Sequence, residues 1–387
     1  MIARRLRVML AIGDLGIGGT EGQLVQLASR LRATFDVSVV CIYGGGRLVA
    51  ALRSQGVAVS VLGRQPAVWR GKLATPRRFV NALLSLWHLY RLLRQERPDI
   101  FHGFLYGAYV PGAIVARLAG VGVVISSRRS LGLFKERKRV MLAAERIATR
   151  FTDLVLANSP AVLADVRAQE RIPYDRLRVV WNAVEPPRHR RSRDVVRASF
   201  GVPMTATCGV VVANLIAYKG HSYVVEAMPS VRSACGDVHI LLVGDGPERA
   251  RLEKLARDRG VSDLVHFCGA TDDVGSYIHA ADFGVLPSLQ EGLSNAVLEM
   301  MAAGLPVIAT CVGGNVDILR NEVNGALVRP ADPAELAGSI VRVVQNPDLR
   351  HRLGAAAKAD VEQRFSYEAL VANMSAIYRE LAERRTR

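Results

Sequence analysis

Short apolar segments alternate with longer helical segments from the beginning of this chain. In the first half, the predicted strands are residues 7–12, 37–42, 57–62, 100–104, 121–126, 154–157 and 178–180. Between them lie predicted helices, including 20–31, which begins at a capping box of Thr20 and Gln23, and the long helix 77–95. Strands separated by helices of about ten to twenty residues predict a parallel sheet covered by helices.

The same alternation begins again in the second half. Its predicted strands are residues 207–213, 239–243, 265–267, 283–286 and 306–309, with a helix at 247–259 among the connections. Pro186, Pro187 and the basic run 188–193 predict a stiff polar linker over residues 185–203. We therefore predict an α/β fold of two Rossmann-like domains, 1–185 and 186–365, facing a central cleft. Ligands of open parallel sheets bind beyond the carboxyl ends of the strands, so the site is expected in the loops there.

The excess of positive over negative charge is confined to one half of the chain. Residues 1–185 hold 28 Lys and Arg against 12 Asp and Glu, whereas residues 186–387 hold 23 of each. This asymmetry predicts a polyanionic partner for the first half: a membrane surface, a phosphate-bearing acceptor or nucleic acid. No helix-turn-helix, zinc or stacking-aromatic motif accompanies the charge, which argues against nucleic acid.

Cysteine spacing and hydropathy indicate the compartment. The five cysteines have no C-x-x-C or His/Cys ligand spacing, which predicts a reducing environment and no structural zinc. No apolar run reaches the roughly 18 residues of a membrane span. The apolar stretch 8–12 is too short for a signal peptide and is interpreted as the first core strand. We expect a cytoplasmic protein that can associate peripherally with the inner face of the plasma membrane.

Two carboxylates flank the end of predicted strand 283–286. Glu291 lies in the loop after this strand, and Glu299 lies on the second turn of a helix predicted over 295–303. Each carboxylate can accept paired hydrogen bonds from vicinal hydroxyls. The helix N-terminus between them offers N–H groups to a diphosphate. Sugar, diphosphate and ribose together make a nucleotide sugar; the alternative is that both acids are merely solvated surface residues.

This Glu-x7-Glu motif, together with others in order along nearly the whole chain, resembles the retaining glycosyltransferases of family 4, which have the GT-B fold. The other matching motifs are Gly18-Gly19-Thr20-Glu21, Asn182-Ala183-Val184-Glu185, Lys219-Gly220-His221, Val243-Gly244-Asp245-Gly246-Pro247, Gly313-Gly314-Asn315, Asn324-Gly325 and Arg364-Phe365-Ser366. The resemblance implies that residues 366–387 form a C-terminal helix that crosses back onto the first domain.

The resemblance implies roles in donor binding and catalysis. Glu291 would bind the donor sugar, Glu299 the ribose, and Lys219 the diphosphate, where it would stabilise the leaving charge. Further contacts with the donor are expected from Gly18, Gly19, Asn214, Gly244, Gly246, Gly292, Leu293 and Ser294. The family usually has an arginine at the position of Asn214, so the cation that would stabilise the leaving group has a different source here. Arg128 or Arg129 is a candidate replacement.

The first half has its own candidates. His102 ends predicted strand 100–104, and it is expected either to contact substrate as a catalytic residue or to be a structural histidine. Arg128 and Arg129 stand where many members have a catalytic histidine, and fixed cations suit a phosphate better than proton transfer. The predicted acceptor or membrane surface comprises Arg128, Arg129, Lys135, Arg137, Lys138 and Arg139. The interleaved apolar residues favour an anionic bilayer, whereas the alternative is a solvated helix face.

The expected activity is therefore metal-independent transfer of a hexosyl group, with retention, from a UDP- or GDP-linked sugar to a phosphate-bearing, lipid-linked or cell-envelope acceptor. The chain has no Asp-x-Asp, the motif that holds a divalent metal in the GT-A class, so no cofactor beyond the donor is predicted. A GT-B sugar-nucleotide epimerase or hydrolase, a basic nucleic-acid-binding protein and a non-catalytic sensor are the alternatives.

Overall fold

The computed structural model describes residues 4–16, 18–63, 76–132 and 138–386, with the backbone alone for 76–79 and 386. The chain divides into two compact units, Met1–Ala183 with Tyr367–Arg387, and Val184–Ser366. The predicted boundaries at 185 and 365 lie beside these divisions. Within the described ranges, no helix combines the length and the apolar content that crossing a bilayer requires.

A parallel sheet of seven strands forms the centre of the first unit, in the order β3-β2-β1-β4-β5-β6-β7. The strands are β1 (Arg7–Ile12), β2 (Asp36–Cys41), β3 (Ala58–Val61), β4 (Ile100–Phe104), β5 (Val123–Arg128), β6 (Leu154–Ala157) and β7 (Leu177–Val179). The helices are α1 (Gly19–Leu31), α2 (Leu48–Ser54), α3 (Pro76–Glu96), α4 (Tyr106–Leu118), α5 (Arg139–Arg150) and α6 (Pro160–Glu170).

Helices cover both faces of this sheet because successive side chains of a strand point to opposite faces. Leu10 of β1 packs in one core with α1, α2 and the C-terminal helix α15 (Tyr367–Thr386). Met9 packs in the other core, with side chains of α3, α4 and α5. Arg178 and Glu380 form a salt bridge of 2.5 Å, so the chain's last helix is held in the first unit.

The second unit contains a six-stranded parallel sheet, ordered β10-β9-β8-β11-β12-β13. Its strands are β8 (Thr207–Val212), β9 (Val238–Val243), β10 (Val265–Gly269), β11 (Phe283–Leu286), β12 (Val307–Thr310) and β13 (Ala326–Val328). Its helices are α7 (Arg193–Ala198), α8 (His221–Cys235), α9 (Arg249–Asp258), α10 (Val274–Ala280), α11 (Asn295–Ala302), α12 (Asn315–Ile318), α13 (Pro333–Gln345) and α14 (Pro347–Arg364). The predicted α/β class and Rossmann-like architecture are therefore confirmed, although β13 is absent from the prediction.

Two local predictions are wrong. Gln23 does not close a capping box: its side-chain amide exchanges hydrogen bonds with the backbone of Ala183, and Gly18 occupies the N-cap of α1. The predicted linker 185–203 is part of the second unit, because its basic residues find acidic partners there. Arg197 is fully buried and its Nη2 lies 2.7 Å from Asp282.

Candidate functional site

Four loops meet at the carboxyl edge of the second sheet. They follow β9, β8, β11 and β12, which are neighbours in the sheet. The Leu215 amide donates to the Asp245 carbonyl at 3.0 Å, which joins the first two loops. The Leu289 amide donates to the Tyr218 carbonyl at 2.8 Å, which joins the loop after β8 to the loop after β11. The predicted donor-binding motifs of this unit therefore lie on one connected surface.

Glycine is required where these loops touch. Gly244 has φ of +147°, and a Cβ there would lie 2.1 Å from the Ala213 carbonyl oxygen. Gly313 has φ of +48°, and its Cβ would lie 1.7 Å from the carbonyl oxygen of Glu291. Gly246 also contacts backbone, that of Leu215. These glycines set the spacing between loops, since any side chain would push them apart.

Lys219 and Glu291, both predicted to be catalytic, are in direct contact. Lys219 Nζ lies 2.6 Å from Glu291 Oε1, and the two side chains are 19% and 8% exposed. Lys219 ends the short 3-10 helix Ala217–Lys219, and Gly220 follows it in the left-handed conformation. Because Gly220 lies against the Pro287 carbonyl, the two loops hold the cation and the carboxylate together.

Helix α11 begins beside this pair. Ser294 is its N-cap, and the Ser294 hydroxyl accepts a hydrogen bond of 3.3 Å from the Val297 amide. Gly292 and Leu293, predicted to contact the donor, form the turn before it, where Leu293 is buried. The N-terminus of α11, which carries the positive end of the helix dipole, thus follows Glu291 closely in the chain.

Glu299 lies one turn further along α11 and is half-buried. Burial raises the pKa of its carboxyl from 4.5 to about 7. Near neutral pH, the group therefore exists in both charged and neutral forms. It can accept a hydrogen bond from a hydroxyl, and in the neutral form it can also donate one to a hydroxyl. Asn214, in contrast, lies exposed in the loop after β8 and contributes no charge.

Sequence reasoning missed the polar side chains beneath these loops. His221 begins α8 directly after Gly220, and burial, with Lys219 nearby, lowers its pKa to about 4. Among the described residues, Ser288 Oγ and Asn315 Oδ1 are buried without a hydrogen-bond partner. His221 and Ser288 lie close in the chain to Lys219 and Glu291, and Asn315 ends the Gly313-Gly314-Asn315 motif, so these motif positions are the signal that points to the three residues.

Gly18 and Gly19 begin α1 in the first unit. Gly18 is its N-cap, and a Cβ on Gly18 would lie 2.3 Å from a carboxylate oxygen of Glu21. The absence of a side chain therefore lets Glu21 fold back to the positive end of its own helix. The expected approach of a ligand phosphate to Gly18 and Gly19 stays a prediction.

His102, predicted either to contact substrate or to be structural, lies in the interior of the first unit. His102 is 1% exposed; its Nδ1 lies 2.8 Å from the Tyr378 hydroxyl and its Nε2 lies 2.8 Å from the Ser127 hydroxyl. Burial, with Arg129 nearby, holds its pKa well below the usual range. Both ring nitrogens are occupied by protein groups, so the geometry favours the structural alternative.

The burial of Arg128 contradicts its predicted surface role. Strand β5 extends to Arg128, two residues beyond its predicted end, and the side chain is 3% exposed. Its Nε and Nη2 lie 3.0 and 2.9 Å from the two carboxylate oxygens of Glu170, and Glu145 lies at 3.3 Å. A guanidinium neutralised in the interior by two carboxylates cannot serve as a membrane contact.

The other basic candidates are placed differently. Arg129 hydrogen-bonds Asn182, and burial lowers its pKa to about 10. Lys138 and Arg139 are exposed at the beginning of α5. Lys135 and Arg137 lie outside the described residues. In the part of the chain that the structure describes, no three His, Cys, Asp or Glu side chains are grouped so that they could hold a metal ion.

Comparison with protein families and with curated proteins gives consistent matches. The model for glycosyl transferases group 1 matches residues 207–346, and that for Glycosyltransferase Family 4 matches residues 17–188. The chain is 30% identical over 284 residues to 2-deoxystreptamine glucosyltransferase of Streptomyces kanamyceticus, covering 68% of this chain and 72% of the relative. It is 28% identical over 335 residues to the lipopolysaccharide core biosynthesis glycosyltransferase LpsD of Rhizobium meliloti, covering 84% and 90%.

Solved structures share the fold over nearly the whole chain. Anabaena Alr3699/HepE in complex with UDP-glucose has a TM-score of 0.83 at 20% identity, covering 97% of this chain and all of that one. The sucrose-phosphate synthase of Thermosynechococcus elongatus has a TM-score of 0.78 at 22% identity, covering 97% and 99%. At these identities, the likeness establishes the fold.

Proposed function

This chain belongs to the group 1, family 4 glycosyltransferases and has their GT-B fold, and from this premise we propose that it transfers a hexosyl group. In this proposal the donor is a nucleoside-diphosphate sugar, and the acceptor is phosphate-bearing and lipid-linked. The transfer proceeds with retention and without a metal. The observation that carries the proposal is the Lys219–Glu291 pair at the carboxyl edge of the second sheet, beside the N-terminus of α11. The epimerase, hydrolase, sensor and nucleic-acid alternatives have no comparable support.

The donor is proposed from the chemistry of this edge. Glu291 binds hydroxyls of the sugar and Glu299 binds the ribose, because carboxylates accept hydrogen bonds from vicinal hydroxyls. Lys219 and the N-terminus of α11 face the diphosphate in this proposal. A UDP- or GDP-linked sugar has all three parts, and the Anabaena structure named above was solved with UDP-glucose.

Lys219 stabilises the leaving group in this proposal. When the bond between the anomeric carbon and the phosphate oxygen breaks, negative charge develops on the diphosphate, and an ammonium with a helix N-terminus stabilises it. These groups perform the task of a divalent cation, so turnover is expected to continue in a chelator. The acceptor oxygen bonds the anomeric carbon on the face that the diphosphate leaves, and its proton passes to a phosphate oxygen of the leaving diphosphate.

The acceptor is proposed from charge. The excess of Lys and Arg lies entirely in residues 1–185, and an anionic, membrane-borne acceptor is attracted by the field of such a net charge. The Rhizobium meliloti relative acts in lipopolysaccharide core biosynthesis, which supports an acceptor of the cell envelope. We propose that the protein works at the cytoplasmic face of the membrane.

The deciding experiment has two stages. Thermal shift with a panel of UDP- and GDP-sugars identifies the donor, since a ligand that binds only the folded state raises the melting temperature. Mass spectrometry then follows that donor with and without phosphorylated lipid acceptors, in chelator. Transfer that requires an acceptor supports the proposal. Epimerised or hydrolysed sugar formed equally well without acceptor would favour the alternative enzymes.

A further inference from the structure

Helix α3 presents an apolar stripe to solvent. Val80, Leu83, Leu84 and Trp87 are each about half-exposed, at 52%, 51%, 49% and 50%. Leu89 and Leu93 of the same helix are buried against the sheet. The 3.6-residue period therefore places the four exposed side chains on the outward face of α3. Single exposed apolar residues are ordinary, but four on one face of a helix indicate an interaction surface.

Helix α5 adds a cationic surface in the same layer. Both α3 and α5 pack against α4 and contribute to the core on one face of the sheet. Exposed residues of α5 and the position before it are Lys138, Arg139, Val140, Ala143, Arg146, Ile147 and Arg150. The outward sides of the two helices together thus combine apolar and basic side chains.

Carboxylates are turned away from this surface. Among the described residues of α3, α4 and α5, the acidic side chains are Glu96 and Glu145. Glu145 is fully buried. Glu96 is half-buried and directed to Ser38 of β2, and its burial raises its pKa. An anionic partner would therefore meet no exposed negative charge from these helices.

Trp87 strengthens the case for a lipid surface. Its indole lies on the exposed stripe, with the Arg91 guanidinium 4.9 Å from the ring centroid. Tryptophan favours the headgroup region of a bilayer, where its ring is half in hydrocarbon and half in water. Arginine beside it matches a lipid phosphate.

We propose that the outward faces of α3 and α5 form the membrane-docking surface of this protein, in which Leu83, Leu84 and Trp87 enter the headgroup region and the α5 cations bind anionic lipid. The inference rests on the proposed function in one respect: a lipid-linked acceptor explains why docking is useful. It is separate from donor chemistry, because these helices belong to the first unit, whereas Lys219 and Glu291 belong to the second.

Vesicle co-sedimentation of the full chain tests the proposal. We expect binding to vesicles of phosphatidylcholine with phosphatidylglycerol and weaker binding to phosphatidylcholine alone. Arg139→Gln with Arg150→Gln should lower binding to the anionic vesicles roughly 30-fold, and Leu83→Ser with Trp87→Ser about tenfold or more. The matched controls in the second unit, Arg257→Gln with Arg259→Gln and Val195→Ser with Val323→Ser, change exposed residues and should bind as the parent does.

Donor-induced thermal shift on the same variants separates the two proposals. An unchanged shift with lost vesicle binding supports the docking surface. Parent-like vesicle binding by the Leu83/Trp87 variant, or no binding by the parent, would overturn it while leaving the glycosyltransferase proposal intact. If the parent sediments as a dimer that this variant converts to a monomer, the stripe is a protein interface and the inference fails.

Discussion

Lys219 Nζ and Glu291 Oε1 lie 2.6 Å apart, so the cation proposed for the diphosphate is held by the carboxylate proposed for the sugar. The two residues come from loops after different strands, β8 and β11, which are adjacent in the sheet. A partly buried ion pair of this kind positions both groups before a ligand arrives. Replacing either residue with a neutral one would leave the charge of the other partly buried and without this partner, which is costly.

Replacing Lys219 with Ala should lower kcat about 10²- to 10³-fold with a smaller change in KM for the donor, because leaving-group charge is stabilised chiefly in the transition state. Steady-state kinetics with the donor identified by thermal shift measures this. Lys254→Ala is the control, since Lys254 is an exposed lysine of the same unit paired with Asp258. Equal losses in both variants would remove Lys219 from the mechanism.

Glu299 makes stability depend on pH. Its pKa is about 7 in the folded protein against 4.5 ordinarily, so the folded state binds the proton more tightly. The resulting stabilisation is fully present below about pH 4.5 and is lost as the pH rises through about 7. The loss is at most about 3 kcal/mol. Urea unfolding at pH 5 and pH 8 should show it in the parent.

Glu299→Gln should reduce that pH dependence, because glutamine carries no titrating proton. The variant should be more stable than the parent at pH 8, and its donor affinity should fall because a carboxylate acceptor is lost. The same unfolding series measures the first effect, and donor thermal shift measures the second. A parent and variant with identical pH profiles would show that Glu299 titrates normally.

Arg128→Met should destabilise the protein by about 3–5 kcal/mol, because it removes a buried guanidinium that pairs with the carboxylates of Glu145 and Glu170. The control is Arg150→Met, at an exposed arginine at the end of α5. It should alter the free energy of unfolding by less than about 0.5 kcal/mol. Chemical denaturation compares the two. A fully stable Arg128→Met protein with impaired acceptor binding would restore the functional role that the sequence predicts.

Gly313→Ala should disturb the Glu291 loop, because its Cβ would meet the Glu291 carbonyl and its φ is +48°. We expect a loss of stability of about 1–2 kcal/mol or more and a fall in kcat/KM. Gly338→Ala in α13 is the matched control, because a Cβ there contacts nothing within 4 Å. Alanine in place of glycine inside a helix should raise the free energy of unfolding by about 0.5–1 kcal/mol. Unfolding and kinetics on both variants distinguish loop displacement from a general effect of alanine.

Arg128 and Gln23 show how far sequence patterns reach. The apolar period predicts that a strand lies near 121–126, but not that β5 extends to Arg128 and draws it into the interior. Thr20 and Gln23 match a capping box, yet the Gln23 amide bonds to the distant Ala183 backbone. In each case a partner far along the chain supplied a better hydrogen bond or ion pair than the local motif.

The amino-acid sequence by itself determined the two parallel α/β units, the order of their strands along the chain and the position of Glu291 before a helix and of Glu299 within it, because apolar periodicity and glycine spacing are local properties. Only the tertiary structure decided which polar side chains are buried and which are available. His102 and Arg128 are satisfied inside the first unit, whereas Lys219 meets Glu291 at a sheet edge, because burial and pairing depend on residues brought together across long sequence separations.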